Sequence, residues 1–141
     1  MIRWGLFIGT TSGLVLGLYM WFVEQVTGKR IYTLLMNVDF IPILGEIDWP
    51  IFMEWLFHLI ISWIIGILFA YAFTYQLKNT NRSRWLSASI LSGIAAITYV
   101  PLTILAIKET PALKDGVAIF YWLMGHVLYA ITLKKSYDRF R

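Results

Sequence analysis

The chain has 141 residues, of which 59% are hydrophobic and only 14% are charged, and its formal net charge is +4. A soluble domain devotes about a quarter of its residues to charged side chains, so this composition indicates a protein that is solvated largely by lipid. Because the sequence contains no cysteine, disulfide bonds, a thiolate nucleophile and cysteine-ligated zinc or iron–sulfur sites are excluded.

Four apolar stretches are long enough to cross a bilayer, which requires about 20 helical residues. In chain order they cover residues 4–26, 51–75, 85–107 and 117–133. The first stretch is too long for a signal peptide, and Glu24 follows it without a small-residue cleavage site, so we expect it to remain as a helix. The sequence therefore predicts an all-α integral membrane protein with a single four-helix transmembrane domain.

Residues 28–50 connect the first two spans and are predicted to form an interfacial segment. Ile31, Leu34 and Leu35 recur at helical spacing, which predicts a short helix lying at the membrane surface. This helix is either a lid over the mouth of the bundle or a structural clamp against the lipid headgroups. Asp48 is expected to cap the second span, with Pro50 in its first turn.

Basic residues concentrate on one side of the predicted membrane and set the orientation. Asp138 is the only acid on that side, against the following basic residues: Arg3, Lys78, Arg82, Arg84, Lys134, Lys135, Arg139 and Arg141. The positive-inside rule therefore predicts that both termini lie in the cytoplasm. We interpret the basic C-terminal tail as a topology signal, and we expect no nucleic-acid partner.

Small residues recur at every fourth position and predict close packing between helices. The rows belong to the first three spans: Gly5, Gly9, Gly13 and Gly17; then Ser62, Gly66 and Ala70; then Ser89 and Gly93. The glycine face could meet the second span, the third span or a second copy of the chain, and a homo-oligomer is expected. Pro101 predicts a kink in the third span, where Thr98 and Thr103 could bind the backbone groups that the proline frees.

The only two histidines of the chain, His58 and His126, lie about two turns inside the second and fourth spans. Glu54 precedes His58 by one turn on the small-residue face, and Glu24 could complete a cluster from the end of the first span. Ionisable groups at membrane depth usually face a partner or water and are functional candidates.

Four uses of these residues remain open. The cluster could respond to protons, because histidine titrates near neutral pH. The two imidazoles could bind haem iron axially, or they could join the carboxylates in a zinc-type ligand set. Finally, each histidine could simply donate a hydrogen bond that fixes the helix register. The identity of any cofactor is left open.

The first two spans resemble the last two, because in each pair a helix rich in small residues precedes a helix with tryptophan and histidine. This predicts a parallel repeat of two helix pairs. The order of motifs also resembles the YagU family of bacterial inner-membrane proteins. The resemblance is carried by Gly5-Leu6-Phe7-Ile8-Gly9, His58-Leu59-Ile60-Ile61-Ser62, Trp85, Ser92-Gly93, Pro101 and Gly125-His126-Val127-Leu128. It implies a fold and a location in the bacterial cytoplasmic membrane rather than an activity.

The chain lacks the glycine-rich loops and the nucleophile elbow on which nucleotide-binding enzymes and hydrolases depend, so we do not expect an enzyme. The favoured interpretation is a non-catalytic inner-membrane protein that acts in envelope stress or pH tolerance. In this interpretation, Glu54, His58 and His126 form an outward-facing proton-responsive cluster. The alternatives are a small transporter or permease subunit working as an oligomer, and a haem- or metal-binding protein that uses the two histidines.

Overall fold

The structure is a computed structural model that describes residues 1–140. Its α-helices within this range are α1 (Ile2–Thr27), α2 (Ile31–Met36), α3 (Ile51–Tyr71), α4 (Asn81–Ile97), α5 (Tyr99–Leu105) and α6 (Gly116–Phe140). A 3₁₀ turn at Leu44–Glu46 precedes α3, and a π-helical turn at Ala72–Gln76 extends it. Residues 1–140 contain no β-strand.

Four helical segments are long and apolar enough to cross a membrane: Ile2–Thr27, Ile51–Gln76, Asn81–Leu105 and Gly116–Phe140. The predicted all-α class and the number of spans are thereby confirmed, and they are those of a multi-pass membrane protein. The Phe7 and Phe140 rings are 4.1 Å apart, so the two chain ends lie at the same end of the bundle. We call this end the terminal face, and the opposite end, with α2 and residues 106–115, the loop face.

The spans lie in the order α3–α1–α6–α4, and each packs mainly on its neighbours in that order. The short helix α2 contacts α1, α3, α5 and α6 at the loop face. Its residues Ile31 and Leu34 are fully buried, so the apolar face of α2 packs on the bundle and covers that end of it.

The glycine row of α1 packs against α3, so the partner of this face is the second span rather than the third span or a second copy of the chain. A Cβ atom built on Gly9 would lie 2.5 Å from the Ser62 carbonyl oxygen, and one on Gly5 would lie 2.6 Å from the Ile67 Cα. Main chain therefore meets main chain, which only glycine permits at this separation. All predicted small residues of the first two spans are buried: Gly5, Gly9, Gly13, Gly17, Ser62, Gly66 and Ala70.

The small-residue row predicted on the third span is wrong, because Ser89 and Gly93 lie on a side of the helix that does not face its neighbours. Ser89 is exposed, and a Cβ atom on Gly93 would meet no described atom within 4 Å. The row that packs inward lies one residue earlier and consists of Ala88, Ser92 and Ala96. Small residues occur in both rows, and only the contact with α6 selects between them. Gly93 is therefore not a packing residue within the chain.

The third span is interrupted at Thr98, between α4 and α5, one turn before Pro101. This position fits the effect of proline, which has no N–H for the carbonyl four residues earlier and clashes with that carbonyl. The predicted hydroxyl groups do bind the backbone nearby. Thr98 Oγ1 donates to the Ala95 carbonyl at 2.5 Å, and Thr103 Oγ1 donates to the Tyr99 carbonyl at 2.9 Å.

Two helix ends differ from the predictions. The fourth span continues to Phe140 rather than ending at residue 133, because Tyr137 stays buried and Lys134 forms an ion pair with Asp138 at 2.5 Å. Asp48 does not cap α3, whose N-cap is Pro50 and which receives no side-chain cap from the described residues. The intervening Trp49 and Pro50 keep the Asp48 carboxylate one residue too far from the helix start.

Candidate functional site

His58 crosses from α3 to the main chain of α1. Its Nε2 lies 2.9 Å from the Gly13 carbonyl oxygen, and its ring meets the Trp55 ring edge-on at 6.1 Å. Since a carbonyl can only accept, Nε2 must carry the proton and donate. The glycine row makes this contact possible, because it lets the imidazole reach the α1 backbone. The second nitrogen, Nδ1, makes no hydrogen bond within residues 1–140.

His126 is buried on α6 with an exposed fraction of 4%. Its Nδ1 donates to the Trp122 carbonyl one turn earlier at 2.8 Å, and its ring packs against the Trp122 ring at 4.8 Å. Its Nε2 makes no hydrogen bond in the described part of the chain. Both histidines thus use one nitrogen for a main-chain carbonyl and leave the other without a protein partner.

The register between α3 and α6 aligns the two histidines. These helices run in the same direction, and Ser62 contacts Tyr129 at 2.8 Å while the Phe69 ring meets the Tyr137 ring at 5.4 Å. His58 and His126 are separated along the chain by the same number of residues as Phe69 and Tyr137, so the two histidines lie at one depth.

Ser62 joins three helices at this depth. Its Oγ donates to the Gly9 carbonyl of α1 at 2.7 Å. A hydroxyl has a single proton, so the Tyr129 hydroxyl of α6 must donate to Ser62 in their 2.8 Å contact. Ser12 adds a fully buried hydroxyl that has no hydrogen-bond partner among the described residues. We call the set Ser12, His58, Ser62, Ser92, His126 and Tyr129 the polar layer.

At the α4–α6 contact, side chains again donate hydrogen bonds to main-chain carbonyls of the neighbouring helix. Ser92 Oγ donates to the His126 carbonyl at 2.5 Å, and the Trp122 indole N–H donates to the Ala96 carbonyl at 2.9 Å. Sequence reasoning did not identify Ser12, Ser92 or Tyr129. A signal for Ser92 existed in its row with Ala96, and Tyr129 follows His126 by three residues on the same helix side.

The predicted acids do not join the histidines. Glu24 accepts hydrogen bonds from the backbone N–H and the hydroxyl of Thr33 on α2, both at 2.8 Å. Glu54 forms an ion pair with Lys108 at 3.5 Å. Of the four predicted residues, the structure therefore brings the two histidines to one depth and places the two acids in contacts with loop-face segments.

Asp39 fastens the segment after α2 to the start of the 106–115 loop. Its carboxylate accepts the backbone N–H groups of Ile107 and Lys108, at 3.1 Å and 2.6 Å, and the Asn37 amide at 2.8 Å. Burial acts to raise the pKa of Asp39, but these hydrogen bonds and the Lys108 charge outweigh it and hold the pKa below its usual value. The Asp39 clamp is therefore ionised at neutral pH.

A second ion pair closes the loop face on the other side. Lys29 Nζ lies 2.7 Å from Asp115 Oδ2, and this hydrogen bond, with the Ala118 backbone N–H, holds the pKa of Asp115 below its usual value. The contact joins the end of α1 to the start of α6.

The terminal face is closed by aromatic rings and one buried charge. The Phe69, Phe73 and Tyr137 rings pack together at 5.0–5.7 Å between centroids. Arg84, with an exposed fraction of 9%, places its Nε 2.8 Å from Asp138 Oδ1 at an angle that makes an ion pair rather than a hydrogen bond.

A structural metal site in a protein needs several histidine, cysteine or carboxylate ligands around one point. Within residues 1–140, no group of three histidine or acidic side chains lies close enough together to hold a metal ion. No protein-family model, curated protein or solved structure matches the chain. Any functional assignment therefore depends on the geometry of the polar layer and on the four spans.

Proposed function

We propose that this chain is a non-catalytic membrane protein whose helix packing responds to protons through His58 and His126. The observation that carries the proposal is their shared environment. Both imidazoles lie at one depth among packed helices, each donates one N–H to a main-chain carbonyl, and each has a second nitrogen without a protein partner. The proposal retains the histidines of the predicted cluster and omits the two acids.

Protonation at the second nitrogen would add an N–H without a protein acceptor and a positive charge among packed helices. Both changes are costly in a membrane interior. From α3 and α6, the titratable groups that face either imidazole are the other imidazole and the Tyr129 hydroxyl. From α1, the Gly13 carbonyl accepts the His58 N–H, and from α4, the uncharged Ser92 reaches the main-chain carbonyl of His126 rather than its ring. An added proton therefore meets no acid that could compensate it, and it favours a looser packing that admits water.

The sign of the pH effect follows because the packed state resists protonation of the histidines and the unfolded chain does not. If the packed state keeps both histidines neutral, the unfolded chain takes up protons below the reference pKa of about 6.5 and the packed state does not. Stability is then full above that pH and decreases as the pH falls. For each histidine the loss at pH 5 reaches about 2 kcal/mol, because 1.5 pH units correspond to about that energy.

The test is the stability of the purified protein between pH 8 and pH 5, for the wild type, His58→Gln, His126→Gln and the double variant. Glutamine keeps a hydrogen-bond donor but cannot titrate. We expect the acid-induced loss of the wild type to shrink in each single variant and to disappear in the double variant. Lys135→Gln is the matched control, because it removes an exposed charge from α6 and should retain the wild-type pH dependence. An equal pH dependence in the wild type and the double variant would refute the proposal.

We further propose that the protein lies in the bacterial cytoplasmic membrane with both termini inside the cell, and that it is a member of the YagU family. The excess of basic residues at the terminal face supports the orientation. Because the chain has no cysteine, single cysteines can test it. An impermeant maleimide should label Glu46→Cys in intact cells and should label Lys135→Cys only after lysis. The reverse pattern would contradict the orientation.

A parallel repeat of two helix pairs is also part of the proposal. In the first pair, Gly13 of α1 faces His58 of α3, and in the second, Ser92 of α4 faces His126 of α6. Superposing α1 and α3 on α4 and α6 tests the repeat: it predicts one crossing geometry with the two histidines on equivalent positions, and unrelated crossing angles would contradict it.

The proposed assembly in the bilayer is a homo-oligomer. Its support is the outer apolar surface that the four spans leave uncovered within the chain, for example at Ile61, Ile64 and Leu68 of α3. Native mass spectrometry from lipid nanodiscs measures the subunit number directly, and a protein that stays monomeric at all concentrations would contradict this part of the proposal.

A further inference from the structure

The segment between α2 and α3 contains a strained turn with an apolar residue at its apex. Ile43 has φ 72° and ψ −55°, and the Leu44 N–H donates to the Pro42 carbonyl at 2.9 Å. This is a γ-turn of the rarer kind with positive φ, which is strained even for unbranched residues. A β-branched residue is the least suited to such a conformation. Ile43 is nevertheless the occupant, and 75% of its surface is exposed.

The turn is held in place rather than free to relax. A Cβ atom on Gly45 would lie 2.5 Å from the main-chain carbon of Asp39, so the two segments are in close contact. Asp39 is in turn fastened to Ile107 and Lys108. The surrounding contacts therefore impose the conformation of Ile43, and its side chain stays pointed away from the packed segments.

Trp49 fixes the depth of the turn. Its indole N–H donates to the Leu44 carbonyl at 2.8 Å, and its ring meets the Phe57 ring edge-on at 5.3 Å. Phe57 lies six residues after the first residue of α3, which is about 9 Å along the helix axis. Trp49 thus folds back beside the span, as interfacial tryptophans do, and holds the turn next to the beginning of the span.

Exposed apolar side chains continue along the chain from the turn to the start of α3, with the exposed Glu46 and Asp48 between them. Ile47, Ile51 and Phe52 are exposed by 47%, 70% and 69%. Ile51 and Phe52 belong to the first turn of α3, which enters the membrane. We propose that the Ile43 turn is a membrane-inserting tip, which places the Ile43 side chain among lipid acyl chains just below the headgroups at the loop face.

Spin labelling tests the tip directly, because the chain contains no native cysteine. Nitroxides are attached to Ile43→Cys, Ile47→Cys and, as the matched control, Glu46→Cys, which is an exposed charged position in the same segment. The proteins are reconstituted in phosphatidylcholine vesicles, and collisions are measured with oxygen, which partitions into lipid, and with a water-soluble nickel chelate.

We expect the labels at positions 43 and 47 to be several-fold more accessible to oxygen than to nickel, and the label at position 46 to show the reverse. A label at position 43 that is as accessible to nickel as the label at position 46 would place the turn in water and overturn the proposal. Protection from both reagents, with broadening between labels, would place it against a second copy of the chain and would also overturn it. If Ile43→Cys does not fold, Ile47→Cys decides alone by the same criterion.

Discussion

Replacing Gly9 by alanine tests the close packing between α1 and α3. The added methyl group would lie 2.5 Å from the Ser62 carbonyl oxygen and 2.8 Å from the Trp63 Cα. Both atoms belong to the main chain, so no side-chain rotation can remove the overlap, and the two helices must separate. Overpacking of this kind costs about 1–3 kcal/mol.

Separation of the helices also lengthens two hydrogen bonds between them. These are the 2.7 Å bond from Ser62 to the Gly9 carbonyl and the 2.9 Å bond from His58 to the Gly13 carbonyl. Each contributes about 1 kcal/mol. Alanine regains about 1 kcal/mol in a helix interior, so we expect Gly9→Ala to lose about 2–4 kcal/mol in total.

Gly93→Ala is the matched control, since it makes the same chemical change in a span where the new methyl group meets no described atom within 4 Å. It should be neutral or up to about 1 kcal/mol more stable. The assay is equilibrium unfolding by dodecyl sulfate from mixed micelles, read by far-ultraviolet circular dichroism. Equal stabilities for Gly9→Ala and Gly93→Ala would refute the packing argument.

Two further predictions concern the charged residues at the two faces. The lowered pKa of Asp39 means that the clamp contributes stability above the unfolded pKa of about 3.9 and loses it only as the pH falls through the lower folded value. Asp39→Asn should therefore speed hydrogen exchange at the Ile107 and Lys108 amides at neutral pH, and unchanged exchange rates would contradict the clamp. Asp138→Asn removes the ion pairs with the buried Arg84 and with Lys134, and it should cost about 2 kcal/mol in the same unfolding assay, a value reduced because Asp138 is 30% exposed. The control is Glu109→Gln, which removes an exposed ion pair with Arg30 and should not measurably change the free energy of unfolding. Equal losses of stability in Asp138→Asn and Glu109→Gln would contradict a stabilising role for the ion pairs of Asp138.

The features that repeat along the chain could be predicted from the sequence. The four spans follow from runs of apolar residues, and the glycine row on α1 follows from its spacing of four. Periodicity says which residues share a helix face, but it does not say which helix that face meets. The phase error on α4 arose in this way, because Ser89 and Gly93 offer the same spacing as Ser92 and Ala96. Only packing on α6 distinguishes the two rows.

The candidate site could also be predicted only in part. The matched depth of His58 and His126 could be predicted, because each lies a similar distance inside a span that runs in the same direction. Their acceptors could not, since one is the main chain of Gly13 and the other is the Trp122 carbonyl. The sequence groups Glu54 with His58 because the two share a helix face, and it adds Glu24 because this residue lies at the end of the first span on the same side of the membrane. Glu54 lies one turn nearer the loop face, and there Lys108, which is distant in sequence, provides a partner of opposite charge.

The most direct test of the account follows the two imidazoles themselves. The chain has only two histidines. Solid-state nuclear magnetic resonance of a protein labelled with ¹⁵N at histidine and ¹³C at glycine, in a bilayer, therefore follows the two imidazoles directly. The glycine signals of Gly9 and Gly13 follow the α1–α3 contact in the same sample. The account predicts that each imidazole stays neutral while the helices remain packed, so that imidazole protonation and a change in the Gly9 and Gly13 signals occur with the same midpoint below a pH of about 6.5, and that His58→Gln together with His126→Gln abolishes the glycine change. Imidazoles that titrate while the glycine signals stay constant would contradict it.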